Sequence, residues 1–127
     1  VDSTSTSNDA LDAAISIAHQ NNIIVAVTGI TDYVTDGSIT YAVEGGHEMM
    51  TKVTATGCAL SCLIGAAIAV GENKILSAAS IIGIYGLAGE IASKISQGPG
   101  SLKMKLLDQL YNISADEIIS NVKIKNV

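Results

Sequence analysis

One cysteine stands where a loop rich in threonine and glycine gives way to a long apolar segment. The segment, residues 51–71, reads TKVTATGCALSCLIGAAIAVG, and the cysteine is Cys58. A helix beginning here presents unpaired N–H groups and a partial positive charge, which together bind anions. The same dipole stabilises a thiolate at the first turn of a helix. The alternative is that Gly57 ends the turn and that Cys58 is a small apolar residue of the core.

The other potential metal ligands are few and irregularly spaced. Cys62 lies four residues, about one helical turn, after Cys58, but two thiols need further ligands to hold zinc. His19 and His47 follow no ligand spacing, so the sequence predicts no metal site. Two cysteines so close together offer no disulfide framework, which favours a reducing compartment.

Several polar residues near loops have a structural interpretation beside a functional one. Asp32 and Asp36 are candidates to approach a nucleotide or magnesium, although Asp36 is better explained as a turn former. His47 follows two glycines, a pattern that favours a role in ordering that loop. Glu90 lies in the segment LAGEIAS, and the sequence leaves open whether it caps a neighbouring element or reaches a subunit interface.

Composition and charge limit the classes of function. The chain has 127 residues, 48% hydrophobic and 15% charged, which is typical of one globular domain at most. A net charge of −5, with lysine but no arginine, argues against a nucleic-acid partner. The polar start VDSTSTSND is unlike a secretory signal. The helical parts of two uncharged segments, 53–71 and 75–89, are expected to be shorter than the roughly 20 residues that span a bilayer. We therefore expect a cytoplasmic protein without a membrane partner.

The first half of the chain predicts helix, strand and hairpin in that order. Apolar spacing predicts a helix over about 8–20, with N-cap candidates at 5–9. The segment IIVAVT (23–28) predicts a strand buried on both faces, as parallel strands are. Asp36-Gly37 predicts a type I′ hairpin turn between the following two short strands.

The second half is predominantly helical. Helices are predicted over about 57–70 and 74–95, then a loop over 96–101 and an amphipathic helix. Ser114 and Glu117 form a capping box for one more short helix, and the final VKIKNV suggests an edge strand. One buried parallel strand cannot form a sheet alone, so the pattern indicates the second half of an α/β domain.

The chain resembles the hydroxyethylthiazole kinases, which belong to the ribokinase-like superfamily of small-molecule kinases. The motifs AVTGITDYVTDG, GGHEMMTKVTATGCALS, GLAGEIAS and GPGSL occur in that family's order and spacing. The resemblance covers essentially the whole chain. It implies that residues 1–127 are the C-terminal half of a single ribokinase-like domain with a parallel sheet.

The resemblance also implies roles for individual residues. Cys58 occupies the position where most ribokinase-like enzymes hold a catalytic aspartate, which takes the proton of the substrate alcohol. Ala55, Thr56 and Gly57 correspond to the anion hole, and Ala55 matches a position that contacts the thiazole and is more often glycine. Thr28 matches the threonine that binds ATP phosphates. We expect Thr28 and the anion hole to meet at one end of a parallel sheet.

The implied activity is ATP-dependent phosphorylation of 4-methyl-5-(2-hydroxyethyl)thiazole in thiamine salvage, with Mg²⁺. The family's phosphate-binding arginine and magnesium-binding acids fall in the N-terminal half, which is the implied partner of this chain. A homotrimer with active sites at subunit interfaces is also implied. Gly83, Gly86 and Gly89 follow one another at helical spacing and permit close contact within or between subunits.

Two other functions stay open at this point. The first is the hydroxymethylpyrimidine and pyridoxal kinase branch, which also tends to carry GTGC. That branch lacks the GH..M pattern that precedes the cysteine motif in this chain. The second is a non-catalytic half-domain that packs against a partner and binds nucleotide weakly or not at all.

Overall fold

The computed structural model describes residues 7–127, with side chains from Ala10 onward. The N-cap candidates at 5–9 therefore lie outside the described side chains. The helices are α1 (Ser7–Asn21), α2 (Thr56–Val70), α3 (Lys74–Lys94), α4 (Pro99–Asn112) and α5 (Ala115–Asn121), with a 3₁₀ turn at Glu48–Lys52. The strands are β1 (Val25–Val27), β2 (Thr31–Thr35), β3 (Thr40–Glu44) and β4 (Lys123–Asn126).

The predicted helices are confirmed to within about a residue, except that α4 begins at Pro99, inside the expected loop. The capping box is also confirmed. The Ser114 amide donates to Glu117 Oε2 at 2.9 Å, and the Glu117 amide donates to Ser114 Oγ at 3.3 Å. The expected terminal strand is β4, which forms one edge of the sheet.

The sheet is antiparallel, so the predicted parallel sheet is wrong for this chain. Its strand order is β1-β2-β3-β4, and every neighbouring pair runs antiparallel. The strand predicted over 23–28 spans only Val25–Val27, and its side chains are half-buried or exposed instead of buried on both faces. Residues 28–30 alone connect β1 to β2. Two consecutive strands can pair in parallel only across a connection of a dozen or more residues, so β1 and β2 pair antiparallel.

The hairpin predicted at Asp36-Gly37 is confirmed, but its loop is longer than the two-residue type I′ turn. The Asp36 carboxylate accepts hydrogen bonds from the amides of Ser38 and Ile39, at 2.9 and 2.8 Å. These bonds lower the pKa of the Asp36 carboxyl and establish its role as a turn former. Gly37 has φ +90°, and a Cβ there would lie 2.5 Å from the His19 amide nitrogen of α1. Glycine is therefore required for both its conformation and its size.

Helix α3 lies at the centre of the chain. It contacts α2, α4, α5 and three of the four strands. One core cluster joins α3 to the sheet and contains Val34, Val43, Ile75, Ala78, Ala79 and Ile82. A second joins α3 to α4 and the 3₁₀ turn and contains Val53, Tyr85, Ala88, Ala92, Leu102 and Leu106.

The length of α3 corrects the expectation that both apolar helices would be too short to span a bilayer. Among the described residues it is the one helix whose length and composition would suffice. However, 56% of its apolar window is buried inside the chain, as is usual for a central core helix.

The three spaced glycines of α3 make close contacts within the chain. A Cβ at Gly83 would lie 2.5 Å from Val122 Cγ1, and one at Gly86 would lie 3.1 Å from the Gly46 amide nitrogen. A Cβ at Gly89 would collide with the Met50 thioether. Of the two alternatives for these glycines, the structure supports close packing inside the subunit.

Substitution of a spaced glycine should test this packing. We expect Gly83→Ala to lower the free energy of unfolding by about 1–2 kcal/mol, because overpacking against the stiff Val122 exceeds the gain in helix propensity. The matched control is Gly65→Ala in α2, where a Cβ would meet no atom within 4 Å. In the chain alone, the free energy of unfolding of that variant should rise by up to about 1 kcal/mol. Urea unfolding followed by circular dichroism measures both, and equal stability of the two variants would contradict the packing.

Candidate functional site

The threonine-rich loop leads into α2, whose N-cap is Ala55. Ala55 has φ +73° and ψ 6°, in the left-handed region that favours glycine. Its carbonyl oxygen accepts the first helical hydrogen bond, from the Ala59 amide at 2.9 Å. A methyl side chain cannot accept a hydrogen bond, so Ala55 does not cap the amides of Thr56, Gly57 and Cys58. These amides lie at the positive end of α2, where an anion is stabilised.

Thr56 and Tyr85 hold the start of α2 in place. The Thr56 hydroxyl lies within hydrogen-bonding distance of the carbonyl oxygens of Met50, at 3.3 Å, and Val53, at 3.1 Å. The buried Tyr85 hydroxyl, from α3, donates to the Thr56 carbonyl oxygen at 3.0 Å. Burial raises the pKa of Tyr85, which keeps the hydroxyl protonated as a donor. Because the Thr56 hydroxyl proton is used by the backbone, Thr56 offers an anion its main-chain N–H.

Tyr85 was not identified from the sequence, although a signal exists. It is the one aromatic residue in α3, which otherwise consists mainly of small and aliphatic residues. A buried tyrosine hydroxyl needs a hydrogen-bond partner, so its presence in a core helix indicates a polar contact with a neighbouring element.

The loop between β3 and the 3₁₀ turn is held at two points. His47 Nδ1 accepts a hydrogen bond from the Met49 amide at 3.2 Å, which is the kind of ordering contact expected from the sequence. Glu90 Oε1, from α3, accepts one from the Gly46 amide at 3.0 Å. Gly45 and Gly46 have φ +149° and +94°, so the loop requires conformations that favour glycine. Of the two alternatives for Glu90, the observed contact is with a neighbouring element of the same chain.

The thiols of Cys58 and Cys62 are free and exposed on α2. Although the segment is apolar, the described chain buries none of the residues of α2. Cys58 is therefore not a core residue of this chain, and its thiol is open at the first helical turn. A Cβ built on Gly57 would meet no atom within 4 Å, so the packing of the described residues does not require a glycine there.

Thr28 directly follows β1 and is exposed. Asp32 closes the loop after it, because its carboxylate accepts a hydrogen bond from the Gly29 amide at 2.8 Å. Partial burial raises the pKa of the Asp32 carboxyl, and the Gly29 bond opposes that shift. Thr28 and Gly57 are expected to meet only if parallel strands end together at one edge of the sheet. That condition does not hold in the antiparallel sheet of this chain alone, so their proximity stays a prediction.

The described residues do not form a complete metal site. No three His, Cys, Asp or Glu side chains in that part of the chain come together to hold an ion. A magnesium ion is therefore not accounted for by these residues alone.

Comparison with known proteins connects this geometry to one family. A sequence profile of the hydroxyethylthiazole kinase family matches residues 1–116. The chain is 42% identical to the hydroxyethylthiazole kinase of Methanocella arvoryzae, over 98% of this chain and 47% of that protein. It is 43% identical to the hydroxyethylthiazole kinase of Zea mays, over 98% of this chain and 45% of that protein.

A solved structure gives the same result. The structure of the Pyrococcus horikoshii hydroxyethylthiazole kinase protein matches 94% of this chain with a TM-score of 0.89 and 39% sequence identity. The match covers 47% of that structure, so the present fold corresponds to part of a thiazole kinase. The chain spans about half the length of the curated relatives that it matches. The chain therefore belongs to the hydroxyethylthiazole kinase family, as a partial domain.

Proposed function

We propose that this chain is the C-terminal half of a ribokinase-like kinase that transfers phosphate from ATP to 4-methyl-5-(2-hydroxyethyl)thiazole in thiamine biosynthesis. The observation that carries the proposal is the exposed Cys58 thiol at the uncapped start of α2, in a chain of this family. The relatives are about twice as long, so the activity is proposed for the chain together with its N-terminal half. The working form is a cytoplasmic homotrimer.

In this proposal Cys58 is the general base. Its thiolate takes the proton of the primary alcohol as the alcohol oxygen bonds to the γ-phosphorus of ATP. The bond between that phosphorus and the bridging oxygen breaks, and ADP leaves. Phosphoryl transfer depends mainly on positioning and charge stabilisation.

The remaining residues bind the two substrates. The amides of Thr56 and Gly57 stabilise the phosphate oxygens, and the Thr28 hydroxyl donates to an ATP phosphate. Ala55 contacts the thiazole. Magnesium accompanies ATP in this proposal, and its ligands come mainly from outside this chain, because the described residues include no metal-binding cluster.

The partial length of the chain favours one alternative function, a non-catalytic half-domain.

A panel of substrates distinguishes the thiazole kinase from the other kinase branch and from the non-catalytic half-domain. The chain assembled with its N-terminal half is supplied with ATP and either the thiazole alcohol, hydroxymethylpyrimidine or pyridoxal. Turnover of the thiazole alcohol alone supports the proposal, turnover of another alcohol identifies the other kinase branch, and no turnover indicates the half-domain.

Loss of the Cys58 thiol should slow the chemical step in that assembled kinase. We expect Cys58→Ala to lower kcat by about 10²–10⁴-fold, which is the usual contribution of a general base. Cys58→Asp should retain activity, because it restores the commoner base of the superfamily. Steady-state kinetics measures both variants.

A matched thiol on the same helix provides the control. Cys62→Ala removes the other free cysteine, one turn away on α2, and should leave kcat unchanged. Unchanged turnover in Cys58→Ala would refute the role of Cys58.

Removal of the Thr28 hydroxyl should weaken ATP binding. A hydrogen bond to a charged group is worth about 1.5–3 kcal/mol, so we expect Thr28→Ala to raise KM for ATP by about 10–100-fold. Thr28→Ser keeps the hydroxyl and should restore binding. The same KM in the Ala variant and the unaltered enzyme would show that Thr28 lies away from the nucleotide.

Relief of the left-handed conformation at Ala55 should stabilise the chain. We expect Ala55→Gly to raise the free energy of unfolding by about 1 kcal/mol, because a Cβ is unfavourable at φ +73°. The matched control is Ala59→Gly inside α2, which should lower it by about 1 kcal/mol. Urea unfolding compares them, and destabilisation by both substitutions would contradict the observed conformation of Ala55.

A further inference from the structure

We propose that the outward face of α2, together with the outer edge of β1, is the surface on which the N-terminal half of the kinase domain docks. The outward face consists of exposed residues of α2 beyond its first turn: Ala59, Ser61, Cys62, Gly65, Ala66, Ala69 and Val70. The inference rests on the proposed need for a complementary half, and it adds which surface that half covers.

The composition of α2 is that of a buried helix. None of its 15 residues is charged, yet none is buried by the described chain. A helix that is apolar around its whole circumference is normally enclosed by protein. By contrast, α4 carries Lys103, Lys105 and Asp108, and the last two form an ion pair at its surface. A contiguous uncharged patch of this kind marks an interaction site.

The glycines of α2 point to a close neighbour that this chain does not supply. Glycine inside a helix costs stability, which is accepted where another element must approach closely. The glycines of α3 have such neighbours, for example Val122 beside Gly83. A Cβ on Gly65 of α2 would meet no atom within 4 Å. The neighbour that requires a glycine at Gly65 therefore comes from outside the described residues.

The two edge strands of the sheet differ in charge, and this difference also places the docking surface on the β1 side. The edge strand β4 carries Lys123 and Lys125, and lysine on an edge prevents further strand pairing. The edge strand β1 lies in the uncharged segment 23–28, and within the described residues it pairs only with β2. The β1 edge is thus the side of the sheet open to another strand.

The occupant is the remaining half of the same kind of domain. This chain matches 94% of its own length to the Pyrococcus horikoshii kinase but only 47% of that structure. A segment about as long as this chain therefore belongs to the same fold in the relative. A second copy of this chain is the other conceivable occupant, and the test below distinguishes the two.

Cys62 serves as a probe within the docking face. In Cys58→Ala it is the only thiol, and its reaction with a water-soluble maleimide reports on whether the face is covered. The control is a triple variant that combines Cys58→Ala, Cys62→Ala and Ser120→Cys. Its one thiol within this chain lies at the exposed position 120 of α5. The chain is co-expressed with the part of the Pyrococcus horikoshii kinase that it does not match, which in this proposal is the N-terminal segment. In a second form the same segment is fused in front of it, in case the separate segment does not fold.

We expect Cys62 to react about tenfold or more slowly than Ser120→Cys in the assembled form, because a covered thiol reacts only after local opening. In the chain alone the two thiols should react at similar rates. Equal rates in both assembled forms would overturn the proposal. Protection of Cys62 in the chain alone, growing with its concentration, would identify a second copy as the occupant and also overturn it.

A charge placed on the docking face provides an independent measurement. Ala66→Lys adds an exposed lysine to the chain alone and should leave its melting temperature unchanged. It should abolish co-purification of the N-terminal segment, whereas Ser120→Lys should not. Retained co-purification in Ala66→Lys would contradict the surface assignment. None of these measurements uses turnover, so a protected Cys62 in an inactive assembly would refute the proposed kinase activity and leave the docking surface standing.

Discussion

The burial of α3 is the constraint on which the rest of the structure depends. This helix has 21 residues, and its interior contains one charged side chain, that of Glu90. Such a helix must be covered on most of its circumference, since about 25 cal/mol is gained for each Å² of apolar surface removed from water. The sheet covers one side, and α2, α4 and the 3₁₀ turn cover others. Small residues along α3 let these elements approach closely, which explains how a chain with few aromatic residues forms a core.

The same helix positions the candidate site through two polar contacts. Glu90 holds the Gly46 amide before the 3₁₀ turn, and Tyr85 holds the Thr56 carbonyl oxygen after it. Both ends of the segment that leads to Cys58 are therefore attached to the central core helix α3. A site that depends on uncapped amides needs such support, because the amides can stabilise charge only if they do not have to reorganise.

The exposed face of α2 is an uncharged surface that the described part of the chain does not cover. The inward residues Leu60, Ile64 and Ile68 of α2 pack against the core, while its outward residues are uncharged and exposed. The chain belongs to a family whose matched relatives are about twice as long, which gives a physical reason for this imbalance. Half of a domain retains the composition of the whole domain, so surfaces that face the other half keep the small and apolar residues of a core.

Much of the local structure and the family could be predicted from the sequence alone. Helix positions, the Ser114 cap and the Asp36 turn depend on spacing and on residues a few positions apart, which periodicity and capping rules describe well. The motifs AVTGITDYVTDG, GGHEMMTKVTATGCALS, GLAGEIAS and GPGSL, taken together in that order, were sufficient to identify the family. Tertiary structure alone decided the direction of the strands, the exposure of α2, the left-handed Ala55 and the partners of Tyr85 and Glu90. These features depend on which distant elements meet. An apolar segment such as 23–28 is hydrophobic whether its neighbours run parallel or antiparallel, or belong to another part of the domain.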